Sequence, residues 1–299
     1  MPPVAPSYLT QWLAPVVDAL QVGAGRPCLI GLHGSTPGFS LSLLTQGGPS
    51  NQLAARSWLV IAKDDDEADR LYRDTVFFRK LCGLPVQDLA LFPQWEILPY
   101  ESTAPPVDLV ARRMQALHQL ATASRTVLFT SVPAVIQRIL PAEVFTTASL
   151  QFEPDGNVER EALVSGLLRL GYRQSSVVEI PGEFSLRGGI VDIFSTAYAE
   201  PLRIEFLGDT VESLRFFDPA TQKSTDKIKQ AWVLPAREFV RPPDAVDALK
   251  PLAADAEWHA PSLYGRMDTL LDYFPQPPLL ALDQPDVLRD QTAVSWKAI

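Results

Sequence analysis

Residues 181–218 read PGEFSLRGGIVDIFSTAYAEPLRIEFLGDTVESLRFFD, and this stretch decides the fold because it alternates like strands and turns like hairpins. In 202–207 the residues Leu202, Ile204 and Phe206 point to one side, whereas Arg203, Glu205 and Leu207 point to the other. One side packs, and the other is free to recognise something. Gly208-Asp209 is a turn signal, so Val211 to Phe217 reads as the returning strand of a hairpin. Upstream, Phe184 to Phe194 reads as a further strand interrupted at Arg187-Gly188-Gly189, where paired glycines predict a bulge or a close backbone approach. By spacing alone the charged side is most simply the solvated outer face of an antiparallel sheet. An arginine on such a face is equally suited to anchor an interface, since its planar fork donates and stacks.

Working outward, the pattern on the amino-terminal side is different. Pro27–Leu32, Ser57–Lys63 and Arg125–Thr130 are short apolar runs separated by helical segments, which predicts a parallel α/β sheet. Asp64-Asp65-Asp66 supplies capping carboxylates for a helix carrying Leu71, Thr75, Phe78 and Leu81, which Gly83 ends. A second helix follows Pro105-Pro106 and buries Val107, Val110, Met114 and Leu117, with an extended connection, 91–102, before it. Near residue 148 the alternation gives way to consecutive strands and one helix, Glu159 to Leu170, closed by Gly171. After Leu234-Pro235 the chain turns Pro-rich and acidic, and a helix over 263–274 with a strand over 279–282 restores the first pattern. The expected layout is therefore 1–147, an inserted α+β domain at 148–234, and a return segment at 235–299 that completes the first domain.

The 299 residues and 46% hydrophobic content are ample for two or three cores. No apolar stretch reaches the ~20 residues of a membrane span, and MPPVAP lacks the features of a signal peptide, so a cytoplasmic protein without membrane contact is expected. A net charge of −9 argues against a broad phosphate-binding surface. The basic pairs Arg79-Lys80 and Arg112-Arg113 are expected on solvated helix faces. Cys28 and Cys82 read as ordinary isolated thiols, and His33, His118 and His259 are scattered, so neither a metal site nor a cofactor is expected.

The segment 31–40, GLHGSTPGFS, follows an apolar run as a phosphate loop would. Gly38 and Ser40 fit the pattern and Gly34 adds to its glycine content, but His33 stands at the first required glycine and Phe39 at the lysine. A loop without that cation should hold a triphosphate poorly. The acidic run 64–66 could supply metal ligands, though starting a helix is its commoner use.

Four stretches carry a resemblance to a known family: LFPQWEILPYE (91–101), GEFSLRGGIVDIF (182–194), LRIEFLGDTVESLRFFD (202–218) and LLDYFP (270–275). In this order the chain resembles the amino-terminal region of the bacterial transcription-repair coupling factors (Mfd) and, more distantly, the excision-repair protein UvrB. The resemblance implies a helicase-like domain with a degenerate phosphate loop and an inserted α+β domain, arranged as UvrB domains 1a, 2 and 1b. It implies a non-catalytic adaptor that recruits UvrA to stalled RNA polymerase. Polymerase, DNA and ATP would be engaged by other parts of the parent protein, an ATP-dependent DNA translocase. The lost lysine, and the direct run from Tyr100 into the helix at Pro105 with no room for UvrB's hairpin, favour this family; an ATP-binding, helicase-like UvrB-type damage protein is the alternative. Carried over by motif, the UvrA contacts are Arg187, Arg203, Glu205, Phe206 and Leu207, with Arg173 a lesser one. Leu207 stands where the family often has an aromatic, and Ser185 where UvrB has an arginine. Alternation agrees for Arg203, Glu205 and Leu207, but assigns Phe206 to the core.

Overall fold

A computed structural model describes residues 13–22, 26–46, 52–95, 103–242 and 252–298. It is a mixed α/β protein whose strands, in chain order, are β1 (Trp58–Ala62), β2 (Leu89–Phe92), β3 (Val127–Ser131), β4 (Leu150–Phe152), β5 (Arg173–Gln174), β6 (Glu183–Arg187), β7 (Ile190–Ile193), β8 (Leu202–Leu207), β9 (Thr210–Phe217), β10 (Ser224–Ile228), β11 (Ala231–Val233) and β12 (Leu279–Leu282). Two compact units emerge, one from Met1–Gln94, Gln119–Gln137 and Leu270–Ile299, the other from Trp95–His118 and Arg138–Thr269.

The first unit is built on a parallel sheet of order β12-β1-β3-β2. Central strands of such a sheet are apolar on both faces, and β3 (VLFTS) is buried along its whole length. The carboxy-terminal strand β12 pairs with β1 in register from Trp58↔Leu279 to Ile61↔Leu282. The expected strand over 27–32 does not form: this segment is irregular and Ile30 is 89% exposed. Pro27 has no N–H to give a ladder, and Gly31 at φ +80° leaves the β region altogether. Conversely, the span expected as a connection begins inside a strand, β2, whose Leu89, Ala90 and Phe92 are buried. Residues 96–102 of that span, including Tyr100, lie outside the described residues.

Helix Asp65–Leu81 starts where the acidic run predicts, with the Asp64 carboxylate accepting from the Glu67 N–H at 2.9 Å. Leu71 and Thr75 are buried, but Leu81 is 70% exposed and does not belong to the core stripe. That stripe continues through Arg79 instead, which corrects the expectation that Arg79-Lys80 is solvated. Position 79 lies four residues beyond Thr75 and so faces inward. The guanidinium is buried, pairs with Asp88 at 2.5 Å and donates to the Thr45 carbonyl at 2.6 Å. Only Lys80 is exposed.

In the second unit six strands run in order β10-β9-β8-β7-β6-β5, antiparallel except for the short β5–β6 pair. Phe184, Val191, Ile193, Leu202, Ile204 and Leu214 are buried on one face by alternation. Helix Arg160–Arg169 buries Leu163 and Leu167, and Gly171 after it takes φ +88°. Strands β4 and β11 pair antiparallel, so the chain enters and leaves the sheet region side by side. The buried Tyr172 hydroxyl donates to the Leu234 carbonyl at 2.7 Å, and burial pushes its pKa up to about 12.

Helix Val107–Thr122 buries Val110, Met114 and Leu117, whereas Val107 in its first turn is exposed. Arg113 is fully buried against Glu238, which also accepts from the Trp95 indole at 2.9 Å, so of the expected solvated pair only Arg112 is exposed. A buried guanidinium requires such a carboxylate. The helix expected over 263–274 is instead helix Ala260–Tyr264 and a separate 3-10 turn, Leu270–Tyr273, because Gly265 at φ +67° terminates the first.

Candidate functional site

The charged face of the six-stranded sheet gathers most of the residues singled out in the sequence. Cross-strand partners share a face, and the register places Ser185 opposite Asp192, Asp192 opposite Arg203, and Arg203 opposite Arg215. Asp192 is 1% exposed and both its oxygens are taken. Arg203 donates from Nε to Oδ1 at 2.7 Å and from a terminal nitrogen to Oδ2 at 3.0 Å, a bidentate pairing, while Arg187 pairs with Oδ2 from the other side. Arg203 also donates to the Gln222 carbonyl and the Ser224 hydroxyl, both at 3.2 Å, and its guanidinium lies 4.6 Å from the ring centre of Phe217. Hydrogen bonding to Asp192 raises its already high pKa, against the opposing pull of burial.

This corrects the picture of two freely exposed arginines. The side chain of Arg203 is 11% exposed, held by Asp192 through two hydrogen bonds, whereas that of Arg187 is 46% exposed. Asp192, which the sequence reading passed over, organises both. The signal available for it was its place in the VDIF alternation, opposite Arg203; only pairing register shows that the two meet.

Glu205 is half-buried and its carboxylate accepts from the Ser213 hydroxyl, with Arg215 Nε 3.9 Å away. Leu207 is 74% exposed, an apolar side chain at the far end of β8 from the buried Phe217 on the same face. Phe206 is half-buried and paired with the buried Val211, so it keeps the packed side. It stays in phase because a β-bulge between Glu205 and Phe206 places Glu212 outside the pairing. Tight backbone approach at the β6–β7 turn explains the paired glycines: Gly188 takes φ +57°, and a Cβ on Gly189 would fall 2.8 Å from the Phe206 carbonyl oxygen. Arg173 stands at the β5 edge, exposed, and donates to Glu183 at 2.7 Å. Glu183 is buried, which pushes its pKa up, but the Glu179 N–H, Arg173 and the Ile180 N–H outweigh burial and hold it below the usual value.

The phosphate-loop-like segment is used otherwise. Gly34 sits at φ +59° and its carbonyl accepts from Arg70 at 2.8 Å. Gly38 and Ser40 are buried inside helix Thr36–Leu44, where the Ser40 hydroxyl donates to the Thr36 carbonyl at 2.8 Å. A Cβ on Gly38 would stand 2.4 Å from Asp74 Cβ, so this glycine lets two helices touch. Phe39, at the lysine position, meets Phe78 edge-on at 5.1 Å. Among the described residues no group of three or more His, Cys, Asp or Glu is placed to hold a metal, and no helix is long and apolar enough to cross a membrane.

Residues 150–239 match the family model of the UvrB interaction domain, which contains the whole arginine-bearing sheet. The chain is 36% identical over 246 residues to a transcription-repair-coupling factor of Myxococcus xanthus, covering 81% of this chain and 20% of the relative. It is 31% identical over 192 residues to that of Escherichia coli (strain K12), covering 64% and 16%, and 26% identical over 237 residues to that of Bacillus subtilis (strain 168), covering 79% and 19%. The chain thus spans about a fifth of the length of these relatives. The resemblance read from the four sequence motifs holds: the chain is similar to transcription-repair-coupling factors over most of its length, with a UvrB interaction domain at its centre.

Proposed function

We propose that this chain is the UvrB-homology module of a bacterial transcription-repair coupling factor, and that the charged face of its six-stranded sheet recruits UvrA to stalled RNA polymerase. The observation that carries this reading is the arginine array inside the stretch matching the UvrB interaction domain, where Arg203 and Arg187 are fixed by one buried carboxylate. Fixing an arginine before association removes much of the ordering cost of using it as an anchor. The exposed Leu207 supplies the apolar contact that such an anchor uses to exclude water.

In this reading the module is a cytoplasmic adaptor with no chemistry of its own. Its first unit descends from a helicase-like domain: the loop glycines persist, while packing of Phe39 and Gly38 has replaced phosphate binding. The ATP-dependent translocase, and the surfaces for RNA polymerase and DNA, are assigned to the remainder of the parent protein. The UvrA-contacting set is Arg187, Arg203, Glu205 and Leu207, with Arg173 at its edge and Phe206 supporting it from the packed side.

Capture of purified UvrA by this chain is the deciding experiment. Arg187→Ala should weaken capture at an unchanged melting temperature, because that side chain is half exposed and its loss leaves Asp192 paired with Arg203. Equal capture by the parent and this variant would remove Arg187 from the surface; failure of the parent itself to capture UvrA would overturn the whole reading. If 148–234 is the inserted domain that the sequence layout expects, that segment expressed alone should unfold cooperatively and retain capture, since β4 and β11 pair near its two ends.

A further inference from the structure

Beyond the residues already assigned, the same face carries a row of cations, of which Arg203 is fully answered by Asp192 and Arg215 only loosely by Glu205. Register places Arg203 on β8 opposite Arg215 on β9, and Arg215 opposite Lys227 on β10. Three positive side chains therefore stand side by side on adjacent strands, roughly 5 Å apart per strand. Like charges directly opposite each other are destabilising in a sheet. Arg203 has Asp192, but among the described residues the carboxylate facing Arg215 is Glu205 at 3.9 Å, which also accepts from the Ser213 hydroxyl. The Nε of Arg215 is buried without a hydrogen-bond partner, although its side chain is 30% exposed. Lys227 is exposed on the edge strand. The Nε itself is out of a partner's reach, but the exposed part of the same guanidinium, set in a row of like charges, is open to an acceptor from outside.

We propose that Arg215 and Lys227 extend the docking face toward β10 and take an acidic side chain of the recruited protein, whose carboxylate meets the exposed part of the Arg215 guanidinium. This rests on the docking function proposed above and adds to it the chemistry of the contact: a carboxylate set over the β9–β10 pair, beside the anchor at Arg203. A single carboxylate matches the planar fork of Arg215 and offsets the repulsion along the row. The net charge of −9 and the shortness of the row favour an acidic protein side chain over a nucleic-acid backbone.

The test measures UvrA capture by the purified chain, and by Arg215→Gln, Lys227→Glu and Arg187→Ala variants, across a salt series with melting temperatures in parallel. Arg215→Gln should weaken capture roughly tenfold and flatten its salt dependence, while its melting temperature stays level or rises as repulsion in the row is relieved. Lys227→Glu, at an exposed edge position, should weaken capture in the same sense and provides the answer if Arg215→Gln melts early. Loss of capture by Arg187→Ala with full capture by both row variants would overturn this inference and leave the docking function standing. Absence of capture by the parent chain would remove both. Salt-sensitive binding of duplex DNA that the row variants abolish, with UvrA capture intact, would make the row a nucleic-acid contact and also overturn it.

Discussion

Two glycine-marked regions of this molecule invite comparison: the loop 31–40 leading into helix Thr36–Leu44, and the turn 187–189 joining β6 to β7. In both, glycine permits positive φ or a close approach that no other residue allows, with Gly34 at φ +59° and Gly188 at φ +57°. The outcome differs because of what the approach delivers. At 187–189 it lets the Phe206 carbonyl close on Gly189 and leaves Arg187 and its neighbours standing on an open sheet face. At 31–40 it brings helix Asp65–Leu81 against Gly38 and turns Phe39 and Ser40 inward. A glycine pattern is a statement about backbone clearance, and the side chains that use the clearance determine whether a site results.

The largest effect should come from Arg203→Ala. Removing a guanidinium that makes a bidentate bond to the buried Asp192 leaves that carboxylate with Arg187 alone, which should cost about 3 kcal/mol in denaturant unfolding. Replacing Asp192 by Asn in the same chain should recover part of the loss, since the stranded charge is then gone. A fully stable Arg203→Ala variant would show that the array is a loose surface cluster and would erase the contrast with the packed loop.

Gly38→Ala comes next. The added methyl meets a Cβ rather than the end of a flexible chain, so overpacking should outweigh the gain of alanine in a helix and leave a net loss of about 2 kcal/mol. An unchanged melting temperature would mean that the two helices separate freely, and would reopen the loop to other uses.

Phe206→Ala should cost somewhat less, about 1.5 kcal/mol, below the range for a fully buried phenylalanine because the ring is only half-buried. Its effect on UvrA capture should follow the loss of stability. Abolished capture at an unchanged melting temperature would instead place Phe206 on the docking face.

The smallest effect concerns Glu183. Its pKa is held below the ordinary 4.5, so its folded form binds its proton less readily than the unfolded chain does. The stability it contributes is complete above that ordinary value and is lost as pH falls through the depressed one. Arg173→Ala should lower stability at neutral pH only slightly, because Arg173 is exposed, and should shrink the acid-side loss by that same small amount. Titration of Glu183 by NMR in both chains checks it: identical pKa values would deny Arg173 a share in the depression.

Period-two alternation and turn residues made β6, β7, β8 and β9 legible, and the acidic cap made the start of helix Asp65–Leu81 legible, because these signals are local. The two corrected basic pairs show where local reading ends. Arg79 and Lys80 are equivalent as a dipeptide, but a helix turns about 100° per residue, and Asp88 and Thr45 wait on one side only. Arg113 is the same case with Glu238, far along the chain. Strand 27–32 failed because apolar content promises burial without supplying a ladder partner, and β2 was missed because the flanking Pro93 and the aromatic run after it resembled a connection.

The sequence by itself determined that this protein has a parallel α/β part and an antiparallel sheet with one charged face, that the phosphate loop lacks its cation, and which family the chain resembles. All of these reside in residue types and short spacings. Tertiary structure alone decided that Asp192 holds Arg203 and Arg187, that a bulge keeps Phe206 on the packed side, and that Arg203, Arg215 and Lys227 line up across three strands. The physical reason is that a strand fixes which way its own side chains point, whereas pairing register fixes whom they meet, and register is a property of two strands together.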